Sequence, residues 1–198
     1  MSRSVVRVSL CAGALFLAAA SPAAAATQID SKHLNIRSGH RASVTGRTAP
    51  AVLATLQIHR RGRWITLDRA RAGAYGRYAL RDRLHRPQSV PARVALSDGS
   101  VRGLGRLNVY RAASASWYGP GLYGNRTGCG GTLTAGRLGV ANKSLPCGSR
   151  VTLRHGSHVV RVRVIDRGPY AGDREFDLTE ATAQRLRFRG PGTVLVTR

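Results

Sequence analysis

The stretch Val164-Ile165-Asp166-Arg167-Gly168-Pro169-Tyr170 decides how the C-terminal half of this chain is read. An alternating apolar run from Val159 to Ile165 stops at a carboxylate, and Arg-Gly-Pro then turns the chain away. Strand periodicity followed by Gly-Pro punctuation puts Asp166 at the mouth of a sheet rather than inside it. An acid held at a strand end by a stiff turn is placed to exchange a proton with a bound substrate. It is also placed to pair with Arg167 or to cap local N–H groups, and these seven residues alone leave both readings open.

Upstream of this stretch, Val151-Thr152-Leu153-Arg154 and Val159-Val160-Arg161-Val162-Arg163-Val164 flank His155-Gly156-Ser157-His158, which predicts a hairpin with its two histidines facing each other across the turn. No further ligands stand nearby, so neither a metal nor a cofactor is expected. Downstream, a helix is predicted from about Asp177 to Arg187, capped by Thr179 or Asp177, with Ala181, Leu186 and Phe188 on its inner face. Thr193-Val194-Leu195-Val196-Thr197 reads as a closing strand. Many short strands and one helix within about 85 residues fit a small closed barrel.

The other end of the chain bounds the compartment. Met1-Ser2-Arg3-Ser4-Val5-Val6-Arg7 is basic, Val8 to Ala20 is apolar, and Ser21-Pro22-Ala23-Ala24-Ala25-Ala26 is small, the three-part layout of a secretory signal peptide over residues 1–26. The apolar run is too short to span a bilayer and no later stretch is longer, so no membrane span is expected. Leu10 before Cys11 does not suit a lipoprotein signal, and Cys11 is read as lost with the leader. The expected product is secreted into the cell envelope, periplasm or wall, as a monomer. Cys129 and Cys147 then remain as an even pair in an oxidising compartment, which predicts a disulfide. It would close a loop of roughly eighteen residues, worth about 3 kcal/mol in the loop-entropy model. No CxxC spacing supports the rival reading of a metal site.

The chain of 198 residues carries a formal charge of +23, almost all of it arginine, with Lys32 and Lys143 the only lysines. Two explanations stand: the charges lie on solvated faces, or they hold the protein on anionic wall polymers. The leader argues against nucleic acid as the partner.

Residues 27–111 read as one unit. Runs such as Ala51–Ile58, Arg63–Leu67, Arg77–Leu80 and Ala92–Leu96 alternate between Gly-, Pro- and Asp-containing turns, with a hairpin tip at His59–Arg63. Such spacing without helical period predicts a small immunoglobulin-like β-sandwich, with Trp64 as a core anchor. The unit carries no catalytic constellation and is assigned a spacer or wall-binding role. A boundary of small residues, Arg111 to Ala115, separates it from residues 112–198.

That second unit resembles the six-stranded double-psi β-barrel of the rare lipoprotein A (RlpA) family, bacterial septal peptidoglycan lytic transglycosylases. The resemblance rests on Ala115-Ser116-Trp117-Tyr118-Gly119, Gly124-Asn125-Arg126-Thr127, Lys143-Ser144-Leu145-Pro146-Cys147-Gly148, Val164-Ile165-Asp166-Arg167-Gly168-Pro169 and Phe176-Asp177-Leu178-Thr179. The cysteines also make it similar to barwin and expansin barrels. The resemblance implies action on peptidoglycan glycan strands, or a related wall polysaccharide, with Asp166 as acid/base. It also implies that the family's glutamate and histidine are replaced here by Gly131 and Asn142.

No acid stands between Asp98 and Asp166, so a second carboxylate must come from Asp173, Glu175, Asp177 or Glu180. Asp177 is read as structural at the helix start, and Asp173 and Glu175 as facing the groove. Glycoside hydrolysis needs two carboxylates, whereas a lytic transglycosylase, using the sugar's own 6-hydroxyl, can run on one. Trp117, Tyr118, Tyr123, Arg167 and Tyr170 are candidate substrate contacts, and the aromatic ones are equally readable as barrel core or rim packing. Gly131 and Asn142 motivate the alternative of a non-catalytic, expansin-like binding or wall-loosening module.

Overall fold

Apolar residues at every second position leave one oily face on most segments of this chain, and the strands they form pair so as to bury it. The computed structural model describes residues 27–198, so the expected leader, with Cys11, lies outside the described residues. The strands are β1 (Gln28–His33), β2 (Asn35–Arg37), β3 (His40–Arg47), β4 (Leu53–Arg60), β5 (Arg63–Arg71), β6 (Arg77–Leu84), β7 (Gln88–Leu96) and β8 (Val101–Tyr118). They continue as β9 (Val140–Asn142), β10 (Arg150–His155), β11 (His158–Asp166) and β12 (Phe176–Thr179); helix α1 (Glu180–Leu186) and β13 (Gly192–Thr197) follow. No helix among the described residues is long and apolar enough to cross a membrane.

Strands β1, β3 and β6 form one sheet, and β5, β4, β7 and β8 run in that order in a second, with β2 parallel to the middle of β8. Ala42, Val44 and Leu80 from the first sheet bury against Leu56, Ile58, Val94 and Leu107 from the second. Trp64 is not part of that core. Pairing of Ile58 with Ile65 and of His59 with Trp64 turns Trp64 to the outer face of the edge hairpin. There it is 38% exposed, with the Arg93 guanidinium carbon 3.9 Å from its ring centroid.

The eighteen-residue β8 passes from the sandwich into a barrel. Its first half pairs with β7, and its second half pairs antiparallel with β13 and parallel with β12. From β12 the ring continues through β9, β11, β10 and β13 back to β8, a closed barrel of six strands. The β11–β9 and β12–β8 pairings are parallel and the others antiparallel. Val140, Leu153, Val164, Phe176, Leu178 and Val194 fill it, and Leu186 closes one end from α1. His155 and His158 pair across the β10–β11 turn, and His155 lies edge-on to Phe188.

Asp177 lies within β12, and Thr179 alone caps α1, its hydroxyl accepting from the Thr182 N–H at 3.4 Å. The buried helix face is Thr182, Ala183 and Leu186; Ala181, expected there, is half-buried.

The Cys129–Cys147 disulfide spans 5.5 Å between Cα atoms and ties the long β8–β9 connection to the loop before β10. Replacing both cysteines by alanine should lower the stability of the barrel by about 2–4 kcal/mol. Urea unfolding followed by far-UV circular dichroism checks this, and wild-type protein in reductant should match the variant.

Candidate active site

Along β11, Val160, Val162 and Val164 point into the barrel, and strict alternation would send Asp166 in after them. It does not go there, because the β11–β9 register carries one extra residue: Val164 pairs with Val140, but Asp166 pairs with the very next residue, Ala141. A bulge of this kind re-aims the side chain that follows it. The surplus Ile165 packs over Gly139, where a Cβ would stand 2.4 Å from the Ile165 Cγ1. Asp166 is thereby turned to the face of the sheet shared by Ala141 and Asp177.

Three donors converge on Asp166. The Gly128 N–H donates to Oδ1 at 2.6 Å, the Arg167 N–H to the same oxygen at 2.8 Å, and the Tyr118 hydroxyl to Oδ2 at 3.1 Å. Gly128 can approach so closely because it has no side chain: a Cβ there would lie 2.9 Å from the Arg167 Cγ and 3.1 Å from Oδ1. The next residue, Cys129, donates its N–H to the Ile165 carbonyl at 3.2 Å, so the loop is held at the bulge itself.

Asp177 is the second carboxylate of this pocket. Its pairing with Ala141 on one side and Ser116 on the other puts it on the same face as Asp166 and Tyr118. The Ser116 hydroxyl donates to Asp177 Oδ1 at 2.6 Å. Burial pushes the Asp177 carboxyl up from the ordinary aspartate value, and the Asp166 charge adds to the push; the Ser116 hydrogen bond and Arg174 oppose it. Burial, followed by the Asp166 charge, also raises the Tyr118 hydroxyl, so it stays a donor at neutral pH. The pocket encloses about 300 Å³, with Leu122, Thr127 and Tyr170 on its walls beside Asp166 and Asp177.

A larger groove, of about 710 Å³, lies elsewhere, between Arg86 of the sandwich and the Asn142–Leu145 segment of the barrel. Asp173 and Glu175 open onto that groove, not onto the Asp166 pocket, and Glu175 is paired with Arg111. The smaller pocket is the candidate site, because it unites two carboxylates in unlike surroundings.

The remaining residues singled out from the sequence divide between roles. Tyr118 and Tyr170 line the pocket. Arg167 lines it too, but its guanidinium turns away to the Asn142 and Leu145 carbonyls at 3.1 and 2.8 Å and to the Cys147 sulfur at 2.9 Å. Tyr123 packs its hydroxyl over Gly119 and donates to Glu180. Trp117 faces the opposite side of β8, along α1. Gly131 has φ +78°, and a Cβ on it would meet the Arg137 guanidinium at 3.0 Å, so a side chain there would be strained. Asn142 is buried; its Oδ1 accepts from the Ser144 and Leu145 N–H groups at 3.1 and 2.8 Å, and it lines the larger groove.

With this geometry in view, comparison with known proteins is informative. Residues 110–198 match a family model described as lytic transglycolase. These residues form the closed six-stranded barrel, which is thus similar to the RlpA-like double-psi β-barrels. Proteins named endolytic peptidoglycan transglycosylase RlpA are similar to this chain. That of Campylobacter jejuni is 39% identical over 41% of the chain, that of Neisseria meningitidis serogroup A 40% over 43%, and that of Pseudomonas aeruginosa 41% over 42%. The matches span 30%, 37% and 25% of those relatives' own lengths. The chain thus spans well under half the length of these relatives.

The raised Asp177 carboxyl has a consequence for stability. The folded chain holds that proton more tightly than the unfolded chain, so its contribution is full below the ordinary aspartate value of about 3.9 and is lost as pH rises through the higher folded value. Asp177→Asn keeps an oxygen for Ser116 and removes the titration. The variant should therefore gain on the wild type as pH rises from about 4 to 7, in urea midpoints measured across that range.

Proposed function

We propose that this RlpA-like barrel cleaves peptidoglycan glycan strands without water, with Asp166 and Asp177 working as a pair. The observation that carries this reading is that the two carboxylates face one pocket with different surroundings. Asp166 is met by three donors and no acceptor, the surroundings of an acceptor-only carboxylate. Asp177 accepts only from Ser116 among the described residues, and burial favours its protonated form, which suits it to give one.

In the proposed step Asp177 protonates the glycosidic oxygen as the C1–O bond breaks. The Asp166 carboxylate stabilises the positive charge developing at C1 and then takes the proton of the same sugar's 6-hydroxyl as that oxygen closes onto C1. One proton is given and one taken, so no water is consumed and the product is a 1,6-anhydro end. Tyr118 holds Asp166 in place, and Tyr170 offers an exposed ring at the mouth for the sugar to lie against. Neither Gly131 nor Asn142 is needed in this scheme.

The leader-like residues 1–26 support export, and the charge of +23 supports retention on anionic wall polymers. The parallel β2–β8 pairing and the two-sheet layering support an immunoglobulin-like unit over residues 27–111, acting as a spacer to the catalytic barrel over residues 112–198.

The test is to incubate the protein lacking residues 1–26 with purified sacculi and with peptide-stripped glycan, and to look for anhydro-muramyl ends by mass spectrometry. Wild type should produce them, and Asp166→Asn and Asp177→Asn should each lose roughly 10²–10⁴-fold in rate. Wild-type protein that binds glycan yet releases no anhydro ends would leave a binding module on this fold. Undiminished activity in Asp177→Asn would reduce the mechanism to one carboxylate.

A further inference from the structure

The last residues of β8 alternate across the barrel wall. Ser116 and Tyr118 turn to the two carboxylates, and Trp117 between them turns to the other side. There Trp117 forms one wall of a groove of about 520 Å³, opposite Glu180 and Gln184 of α1 and beside Arg187 and Arg189 just beyond it. Phe188, 5% exposed, contributes an apolar floor. The indole is fixed, with Nε1–H donating to the Arg189 carbonyl at 3.3 Å, yet 38% of the residue is open to solvent. A large ring held in place but left partly uncovered forgoes burial that would otherwise stabilise it.

The polar rim is ordered in advance. Glu180 accepts from the Tyr123 hydroxyl on one oxygen and from Gln184 Nε2 at 3.1 Å on the other. This leaves the Gln184 carbonyl oxygen available as an acceptor in a groove that Arg187 and Arg189 also line. Neither Arg187 nor Arg189 makes a salt bridge among the described residues. A flat apolar platform, an adjacent amide and nearby donors together match a pyranose ring. Such a ring presents C–H groups on its face and hydroxyl or acetamido groups around its edge. An apolar partner would cover the indole but leave the rim's polar groups without partners, which is costly.

We propose that the Trp117 groove is a second saccharide platform, taking an N-acetylhexosamine residue of a glycan strand outside the cleavage pocket. The choice of sugar rests on the function proposed above; the platform itself rests on Trp117 and its rim. Tyr123 links the two places, since it holds Glu180 while its neighbour Leu122 lines the Asp166 pocket. A strand anchored at Trp117 would be presented to the carboxylates on the far side of the same strand end.

The sequence has two tryptophans, so Trp64→Phe in the protein lacking residues 1–26 leaves Trp117 as sole indole emitter. This variant, combined with Asp166→Asn to prevent turnover, is titrated with the N-acetylglucosamine hexamer while emission and acrylamide quenching are followed. Expected are a blue shift and about twofold weaker quenching, with about tenfold weaker binding in Gln184→Ala, an exposed position that should leave the fold intact. Unchanged emission and quenching at hexamer concentrations where calorimetry shows binding would overturn the platform, as would the absence of any binding. Anhydro products formed while Trp117 stays silent would sink this inference and spare the proposed reaction. A responsive Trp117 in a protein releasing no anhydro ends would do the reverse.

Discussion

The single extra residue in the β11–β9 pairing is the constraint on which the pocket depends. Without it Asp166 would follow Val164 into the barrel, where an unpaired carboxylate would be costly to bury among Val140, Leu178 and Val194. With it, Asp166 lies opposite Ala141 and beside Asp177. The bulge needs room for Ile165, which Gly139 provides by having no side chain, and it needs a partner for the Ile165 carbonyl, which Cys129 provides. The disulfide then fastens that partner to Cys147, whose sulfur also receives the Arg167 guanidinium. Loop, bulge and carboxylate are thus one cooperative unit.

Much of the barrel could be read from its residues. The alternation of Val159 to Val164, the Gly-Pro stop after Arg167 and the pairing of Cys129 with Cys147 all depend on neighbours close in sequence or on simple counting. The strand-mouth position of Asp166 came from the same signal. Asp177 was misassigned because Asp-Leu-Thr-Glu before a helical run is also how a helix starts; it needed the pairings to Ala141 and Ser116 to appear as a strand residue. Asp173 and Glu175 open onto the larger groove rather than the Asp166 pocket, since a loop's direction is set by the strands on either side of it. The Ile165 bulge leaves almost no trace in composition.

The two tryptophans show where side-chain type misleads. Both carry enough apolar surface to be expected in a core, and both lie 38% exposed. Trp64 is on the outer face because register, not hydrophobicity, chooses the face of an edge hairpin, and Arg93 then covers part of its ring. Trp117 shares the core-facing side of β8 with Ala113 and Ala115, but it stands at the end of the barrel beside α1, where the packing leaves it partly uncovered.

Scarcity of acid sharpens the meaning of each carboxylate. Nine acidic residues stand against 32 basic ones, and most arginines have no counter-charge. Partial burial, and after it the repulsion of neighbouring guanidiniums, lowers the hold of Arg106 and Arg161 on their protons. In such a chain an acid that accepts from no guanidinium is conspicuous, and Asp166 is one, although Arg126 and Arg167 line its pocket. Arg167 gives it a backbone N–H while pointing its guanidinium at carbonyls. Asp177 has Ser116 as its hydrogen-bond partner and feels Arg174 only through space. Keeping arginine heads out of the first contacts of both carboxylates leaves them free to exchange protons, which a salt bridge such as Arg111–Glu175 would oppose. The arrangement gathers two of the chain's few acids in one small pocket and keeps guanidinium groups out of their direct hydrogen bonds.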